Sequence, residues 1–185
     1  VDRYVNDTTE QTRKRECCAI GRSLALAANC RQYNCSRDDR SLGSGGDDLV
    51  QSLLTLPDGD VLVGGSTDGN LTIEGMGFGF GGNFDSLVAR FASADGGLLW
   101  LTPITGGAGQ FIQDVASRDD GTLLAVGIMY GSADVGNFTI DHVDGGDTFL
   151  LLLDPDDGEA LAADSIVGLG FQEVIDVDLG PGDRF

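Results

Sequence analysis

The sequence predicts an all-β repeat protein: two four-stranded units and the start of a third, preceded by a short disulfide-stapled helical segment. Three observations lead there. A block of 62 residues recurs at fixed offsets along the chain. Short apolar runs alternate with Asp-Gly turns, as antiparallel strands require. Four cysteines, Cys17, Cys18, Cys30 and Cys35, crowd into the N-terminal segment, and none follows.

The N-terminal segment spans residues 1–45. Thr9 to about Asn29 reads as a helix, because Cys17, Ile20, Leu24 and Ala27/Ala28 recur at helical spacing while Arg13, Lys14, Arg15 and Arg22 sit mainly elsewhere. Four cysteines permit three pairings. A Cys17–Cys18 bridge is strained, since adjacent Cα atoms stand too close. Each is therefore expected to pair with Cys30 or Cys35. A zinc site competes, but metal-binding Cys and His spacings are absent and the single histidine, His142, is remote. Ser41 to Gly46 reads as a linker.

The first repeat, 46–109, opens on Asp48-Leu49-Val50-Gln51-Ser52-Leu53 and continues through Leu56-Pro57-Asp58-Gly59-Asp60-Val61-Leu62-Val63-Gly64. The second, 110–171, opens on Gln110-Phe111-Ile112-Gln113-Asp114-Val115, followed by Asp120-Gly121-Thr122-Leu123-Leu124-Ala125-Val126-Gly127. Asp85-Ser86-Leu87-Val88 matches Asp147-Thr148-Phe149-Leu150. Asn70-Leu71-Thr72-Ile73 is aligned with Asn137-Phe138-Thr139-Ile140 after a small insertion. A third copy begins at Gln172-Glu173-Val174-Ile175-Asp176-Val177, so 172–185 is expected to supply the first strand of an incomplete repeat.

Four apolar runs fall in the first copy, at 49–56, 60–66, 86–92 and 98–104. Asp58-Gly59, Asp95-Gly96, Asp120-Gly121 and Asp157-Gly158 supply the left-handed residue of a tight hairpin. Four short strands per repeat is the arithmetic of a β-propeller blade. Gly81-Gly82-Asn83-Phe84-Asp85-Ser86-Leu87 and Gly145-Gly146-Asp147-Thr148-Phe149 follow one pattern, and Trp100 stands after an Asp-Gly turn. In these motifs the stretch 46–185 resembles the β-propeller repeats of large secreted proteins. The resemblance implies propeller-like blades in an extracellular structural or adhesive module, and implies no reaction. Two blades and a fraction cannot close a propeller, so the chain is expected to be a fragment or to be completed by other copies.

Charge narrows the partners. Residues 1–40 carry eight basic and six acidic side chains (8 − 6 = +2), whereas 41–185 carry three and 24 (3 − 24 = −21). Such an acidic body repels nucleic-acid phosphates and anionic lipids. No apolar stretch reaches the ~20 residues that span a bilayer. Val1 is not followed by a leader-like pattern, so any signal peptide is expected to have been removed.

Four of the six asparagines, Asn6, Asn34, Asn70 and Asn137, lie in Asn-x-Ser/Thr sequons. Such enrichment predicts N-linked glycans and a eukaryotic secretory route to an extracellular location. No cofactor is expected. Ca²⁺ is the nearest candidate, at Asp154-Pro155-Asp156-Asp157-Gly158-Glu159 or Asp176-Val177-Asp178, but neither stretch completes a calcium-loop pattern. His142 among Thr139, Asp141 and Asp144 offers no triad, and no serine sits in a nucleophile elbow. Gly75-Met76-Gly77-Phe78-Gly79-Phe80-Gly81-Gly82 opens no helix and is no phosphate loop.

The expectation is a non-catalytic, extracellular structural glycoprotein that self-assembles through its β-repeats into a filament or surface layer, with other copies of itself as partners. Arg13, Lys14, Arg15 and Arg22 would form a basic docking patch, and Val174, Ile175 and Val177 an open strand. A module binding a glycan or protein ligand is the alternative, and a hydrolase ranks third.

Overall fold

Alternating apolar residues and glycine-bearing turns fold into twelve antiparallel strands in a computed structural model of the chain, which describes residues 43–81 and 83–179. The first repeat holds β1 (Asp48–Thr55), β2 (Val61–Thr67), β3 (Leu71–Ile73), β4 (Met76–Phe78), β5 (Asp85–Phe91) and β6 (Leu98–Gly106). The second holds β7 (Gln110–Ser117), β8 (Leu123–Met129), β9 (Ala133–Val135), β10 (Phe138–Ile140), β11 (Asp147–Leu153) and β12 (Ala160–Ile166). Every strand of the second repeat starts 62 residues after its counterpart (110 − 48, 123 − 61, 133 − 71, 138 − 76, 147 − 85, 160 − 98). The repeat is therefore six-stranded and carries no insertion.

Each repeat builds a four-stranded meander, β1-β2-β5-β6 and β7-β8-β11-β12, with a three-residue hairpin inserted between its second and third strands. Both meanders bulge in the first strand, between Val50 and Ser52 and between Ile112 and Asp114. Such a bulge raises local twist and re-aims the side chains that follow it. The hairpins are used differently. β9–β10 crosses the repeat boundary and pairs with β6, through Thr105↔Asp134 and Gly106↔Ala133, which makes the first sheet six-stranded. β3–β4 forms a two-stranded sheet alone.

The core lies between the two meanders. Leu62, Val88, Trp100 and Ile104 of the first face Ile112, Val115, Leu123, Ala125, Phe149, Leu151 and Leu153 of the second in one buried cluster. Glycines let the layers approach. A Cβ on Gly127 would stand 2.5 Å from the carbonyl oxygen of Phe111 and overlap the Phe149 ring. The Asp-Gly turns behave as read: Gly59, Gly96, Gly121 and Gly158 all have positive φ, between 70° and 92°.

Several expectations are corrected here. The resemblance to a β-propeller fails, because no sheet closes into a barrel or curls as blades do. Antiparallel meanders with Asp-Gly turns are local signals that do not specify how successive sheets are joined. That joining is decided by β6–β9 pairing, which merges elements of two repeats instead of leaving independent four-stranded blades. The start of a third unit is not a strand either: residues 172–179 form no ladder, and Gly146↔Phe171 is an isolated parallel bridge just before them. The disulfide-stapled helix is not part of the fold described. Among the described residues there is no helix and no disulfide, and Cys17, Cys18, Cys30 and Cys35 lie outside them, as does the helix read over 9–29.

Candidate assembly interface

The residues that join one repeat to the next combine apolar packing with a set of hydrogen bonds across the joint. Ile112 and Val115 of β7 lie over Gly64 of β2, where an added Cβ would come within 3.1 Å of Val115 Cγ1 and 3.2 Å of Ile112 Cγ2. Beside them, Ser52 Oγ donates to Asp114 Oδ1 at 2.6 Å and accepts from the Val115 N–H at 3.3 Å. Ser86 Oγ accepts the Ile112 N–H at 2.8 Å and shares a 3.2 Å hydrogen bond with Ser66 Oγ. Gln110 N donates to the Phe84 carbonyl at 2.8 Å. The backbone groups at the start of β7 thus find partners on the preceding repeat, as buried peptide groups must.

A second contact seats the β11–β12 turn on the end of the first sheet. Trp100 Nε1 and Arg90 NH1 both donate to the Pro155 carbonyl, at 2.9 and 2.6 Å. Thr102 Oγ1 donates to the Gly158 carbonyl at 2.6 Å. Arg90 also pairs with Asp58 at 2.5 Å and Asp60 at 2.9 Å. Burial weighs most on Asp60 and pushes its carboxyl up, but the Ser93 N–H and Arg90 outweigh it and hold it below the usual range.

The Asp-[Ser/Thr] pair common to both repeats, Asp85-Ser86 and Asp147-Thr148, has a physical role. Asp85 and Asp147 are fully enclosed carboxylates, and each accepts backbone N–H groups from two separate segments of the chain. Asp85 takes those of Gly106, at 3.1 Å, and Gly81. Asp147 takes those of Gly168, at 3.2 Å, Val143, at 2.7 Å, and Asp144. Gly168 and Val143 stand 62 residues after Gly106 and Gly81 (168 − 106, 143 − 81). Burial raises the Asp85 carboxyl, whereas the Val143 N–H, ahead of burial and of nearby His142, keeps Asp147 low.

Residues 172–179 follow the same scheme on the second sheet. Gln172 N donates to the Gly146 carbonyl at 2.6 Å, as Gln110 N does to Phe84. Val177 N donates to Asp114 Oδ2 at 3.1 Å, as Val115 N does to Ser52 Oγ. The Asp176 carboxyl is hydrogen-bonded to that of Asp114, as Asp114 is to Ser52. Of the open-strand residues, Val174 and Val177 are half-buried and Ile175 points to solvent.

The basic patch of Arg13, Lys14, Arg15 and Arg22 lies outside the described residues, as do Asn6 and Asn34. Asn70 and Asn137 are both exposed, but they are not equivalent as read. Asn70 precedes β3, whereas Asn137 occupies the β9–β10 turn. The true counterpart of Asn70 is Ser132. Asn70 Oδ1 accepts the Phe80 N–H at 2.9 Å, and Ser132 Oγ accepts the His142 N–H at 3.3 Å. His142 Nε2 lies 3.2 Å from the Gly145 carbonyl and 3.8 Å from Asp147. Of the carboxylates weighed for calcium, two serve turns: Asp154 Oδ1 accepts the Asp156 N–H and Asp157 Oδ1 that of Glu159. Among the described residues, no group of three or more His, Cys, Asp or Glu side chains could hold a metal ion, and no helix is long and apolar enough to cross a membrane.

Reading the sequence missed the Ser52–Asp114–Asp176 series, although it lies at the repeat period and polar residues spaced by that period were its signal. Arg90 and Pro155 carry no repeat signal, and their meeting was not legible. No protein-family model matches the chain, and no curated protein is detectably similar to it. The described part is a repeat-containing all-β domain.

Proposed function

We propose that the chain is a non-catalytic, extracellular structural glycoprotein whose β-repeats self-assemble. One observation carries this reading: residues buried where the two repeats meet have counterparts that are exposed at the ends of the array. Ile104 is 0% exposed and its counterpart Ile166 56%; Val115 is 4% exposed and its counterpart Leu53 41%. Apolar surface of this kind, repeated at both ends, favours association with another such surface. Contacts between unlike ends add head to tail and propagate when the rotation does not close. Exposed Asn70 and Asn137 support a glycosylated, secreted location. Light scattering across a concentration series, with electron microscopy of the concentrated sample, tests the proposal. Growth of elongated particles is expected; a monomer at every concentration overturns it.

Ligand binding is the second reading, favoured by a run of ring contacts on one surface. Phe84, Phe111, Tyr130 and Phe171 follow one another at centroid distances of 5.2, 6.0 and 6.1 Å. Glycan-array binding that is lost in Tyr130→Ala would establish it.

A further inference from the structure

We infer that residues 172–178 plug the docking seat on the second sheet, the seat that the first repeat of a second copy would take. The inference rests on the self-assembly reading and specifies its surfaces. The first strand of a repeat has one docking scheme on the sheet before it. β7 shows that scheme on the first sheet, and residues 172–178 reproduce it on the second at a constant offset of 62 (172 − 110, 177 − 115). Thr148 Oγ1, the counterpart of Ser86, adds a 3.3 Å hydrogen bond to the Gln172 carbonyl. Side chains follow suit, since Val174 and Val177 stand where Ile112 and Val115 stand in β7. β1 belongs to the same series, and of its corresponding residues Val50 is half-buried and Leu53 exposed. The surface that β1 presents is therefore of the type that the second sheet accepts, and one seat cannot hold both.

The hairpins mark the rest of the joint. β9 adds to β6 at Thr105 and Gly106, and an added Cβ on Gly106 would lie 2.5 Å from both the Ser132 carbonyl oxygen and the Gln110 amide. At the counterpart, Gly168, the Gln172 amide lies at 3.2 Å from an added Cβ. β12 stops at Ile166, two residues short of the extent of β6 (106 + 62 = 168), where a hairpin partner would sustain it. At the opposite end, β3 pairs with β4 alone among the described residues. The turn between them holds two residues, so Ile73 and Leu71 bond inward and the Thr72 N–H and C=O face outward, as those of Asp134 face β6. Thr72 of one copy and Val167 of the next are the pair that Asp134 and Thr105 already form inside the chain. The Trp100 contact has no such counterpart, because Ala162 stands at its place, so the joint between copies is weaker than the joint within one.

The full chain with Val174→Asp and Val177→Asp tests this by freeing the seat. Sedimentation velocity is expected to show assembly at concentrations about tenfold or more below those of the parent, the factor that ~1.4 kcal/mol confers. Adding Thr72→Pro or Val167→Pro to the freed chain should return it to monomers, since each proline removes an edge donor. Mixing those two prolyl variants should give a two-copy complex and nothing longer, because each retains one intact end; this also demonstrates that both are folded. If the parent assembles and freeing the segment changes nothing, or the prolines leave assembly intact, the plug is overturned and self-assembly stands. If neither parent nor freed chain associates, both proposals fall.

Discussion

The Ser52 hydroxyl donates a 2.6 Å hydrogen bond to the Asp114 carboxylate, and the two residues are 62 positions apart. Residues at the same place in successive repeats therefore touch, and the seam between repeats runs along a single sequence position. Ser52→Ala leaves a half-buried carboxylate without its hydroxyl donor. Urea denaturation should show a loss of about 1.5–3 kcal/mol, the usual worth of a hydrogen bond to a charged group. An unchanged midpoint would mean that the seam contributes nothing to stability.

A pH dependence follows from the next step of that series. The Asp176 carboxyl is held above the usual range, first by its hydrogen bond to Asp114, then by the Asp114 charge, with burial and Asp178 adding to it. Burial is the largest influence on Asp114 and raises it. Ser52, Asp176 and the N–H groups of Val177 and Val115 together outweigh that and hold Asp114 low. A raised Asp176 means that its contribution is present in acid and is lost as pH climbs through the raised value. A depressed Asp114 means that its contribution is present above the ordinary carboxylate range and is lost as pH falls through the depressed value. Residues 172–178 are thus held most firmly in mild acid and loosen toward neutrality. Protection of the Val177 amide, corrected for intrinsic exchange, should peak in mild acid. Asp176→Asn should abolish the decline on the neutral side; equal protection throughout would refute the shared proton.

Glycine at two positions separates sterics from backbone conformation. Gly127→Ala drives a methyl group against the Phe111 carbonyl and the Phe149 ring, and thermal unfolding should report about 1–3 kcal/mol lost. Gly121 has open space around it and a φ of 90°, so Gly121→Ala should cost about 1 kcal/mol through the turn alone. A larger effect at Gly121 than at Gly127 would contradict the close approach of the sheets.

Trp100, the sole tryptophan, reports on the joint between repeats. Its indole N–H is bonded to Pro155 and the ring lies under Gly158. Trp100→Phe keeps the aromatic bulk and removes the donor, which should cost about 1 kcal/mol. In the parent, Trp fluorescence and far-UV circular dichroism should change together on unfolding. An early fluorescence transition would show that the repeats separate before they melt.

The net charge of −19 sets copies against one another. Association should strengthen as salt screens that repulsion, with a longer assembly at high than at low ionic strength. The opposite trend, in sedimentation, would indicate a joint made by ion pairs instead of apolar contact.

Repeat length, the eight meander strands and the Asp-Gly turns were legible in the residues, because alternation and left-handed turn positions are properties of a few neighbours. Three-residue strands such as Leu71–Ile73 and Ala133–Val135 carry too little pattern to stand out, and missing them shifted the match of Asn70 onto Asn137. Which sheet each hairpin joins was settled only in three dimensions. β9 finds an edge at Thr105 and Gly106, while β3, with the same spacing in its repeat, finds none among the described residues. The chain's local pattern therefore fixed where strands form. Long-range pairing decided how they are joined, because a strand's outward backbone groups bond to whatever edge the packed core brings within reach.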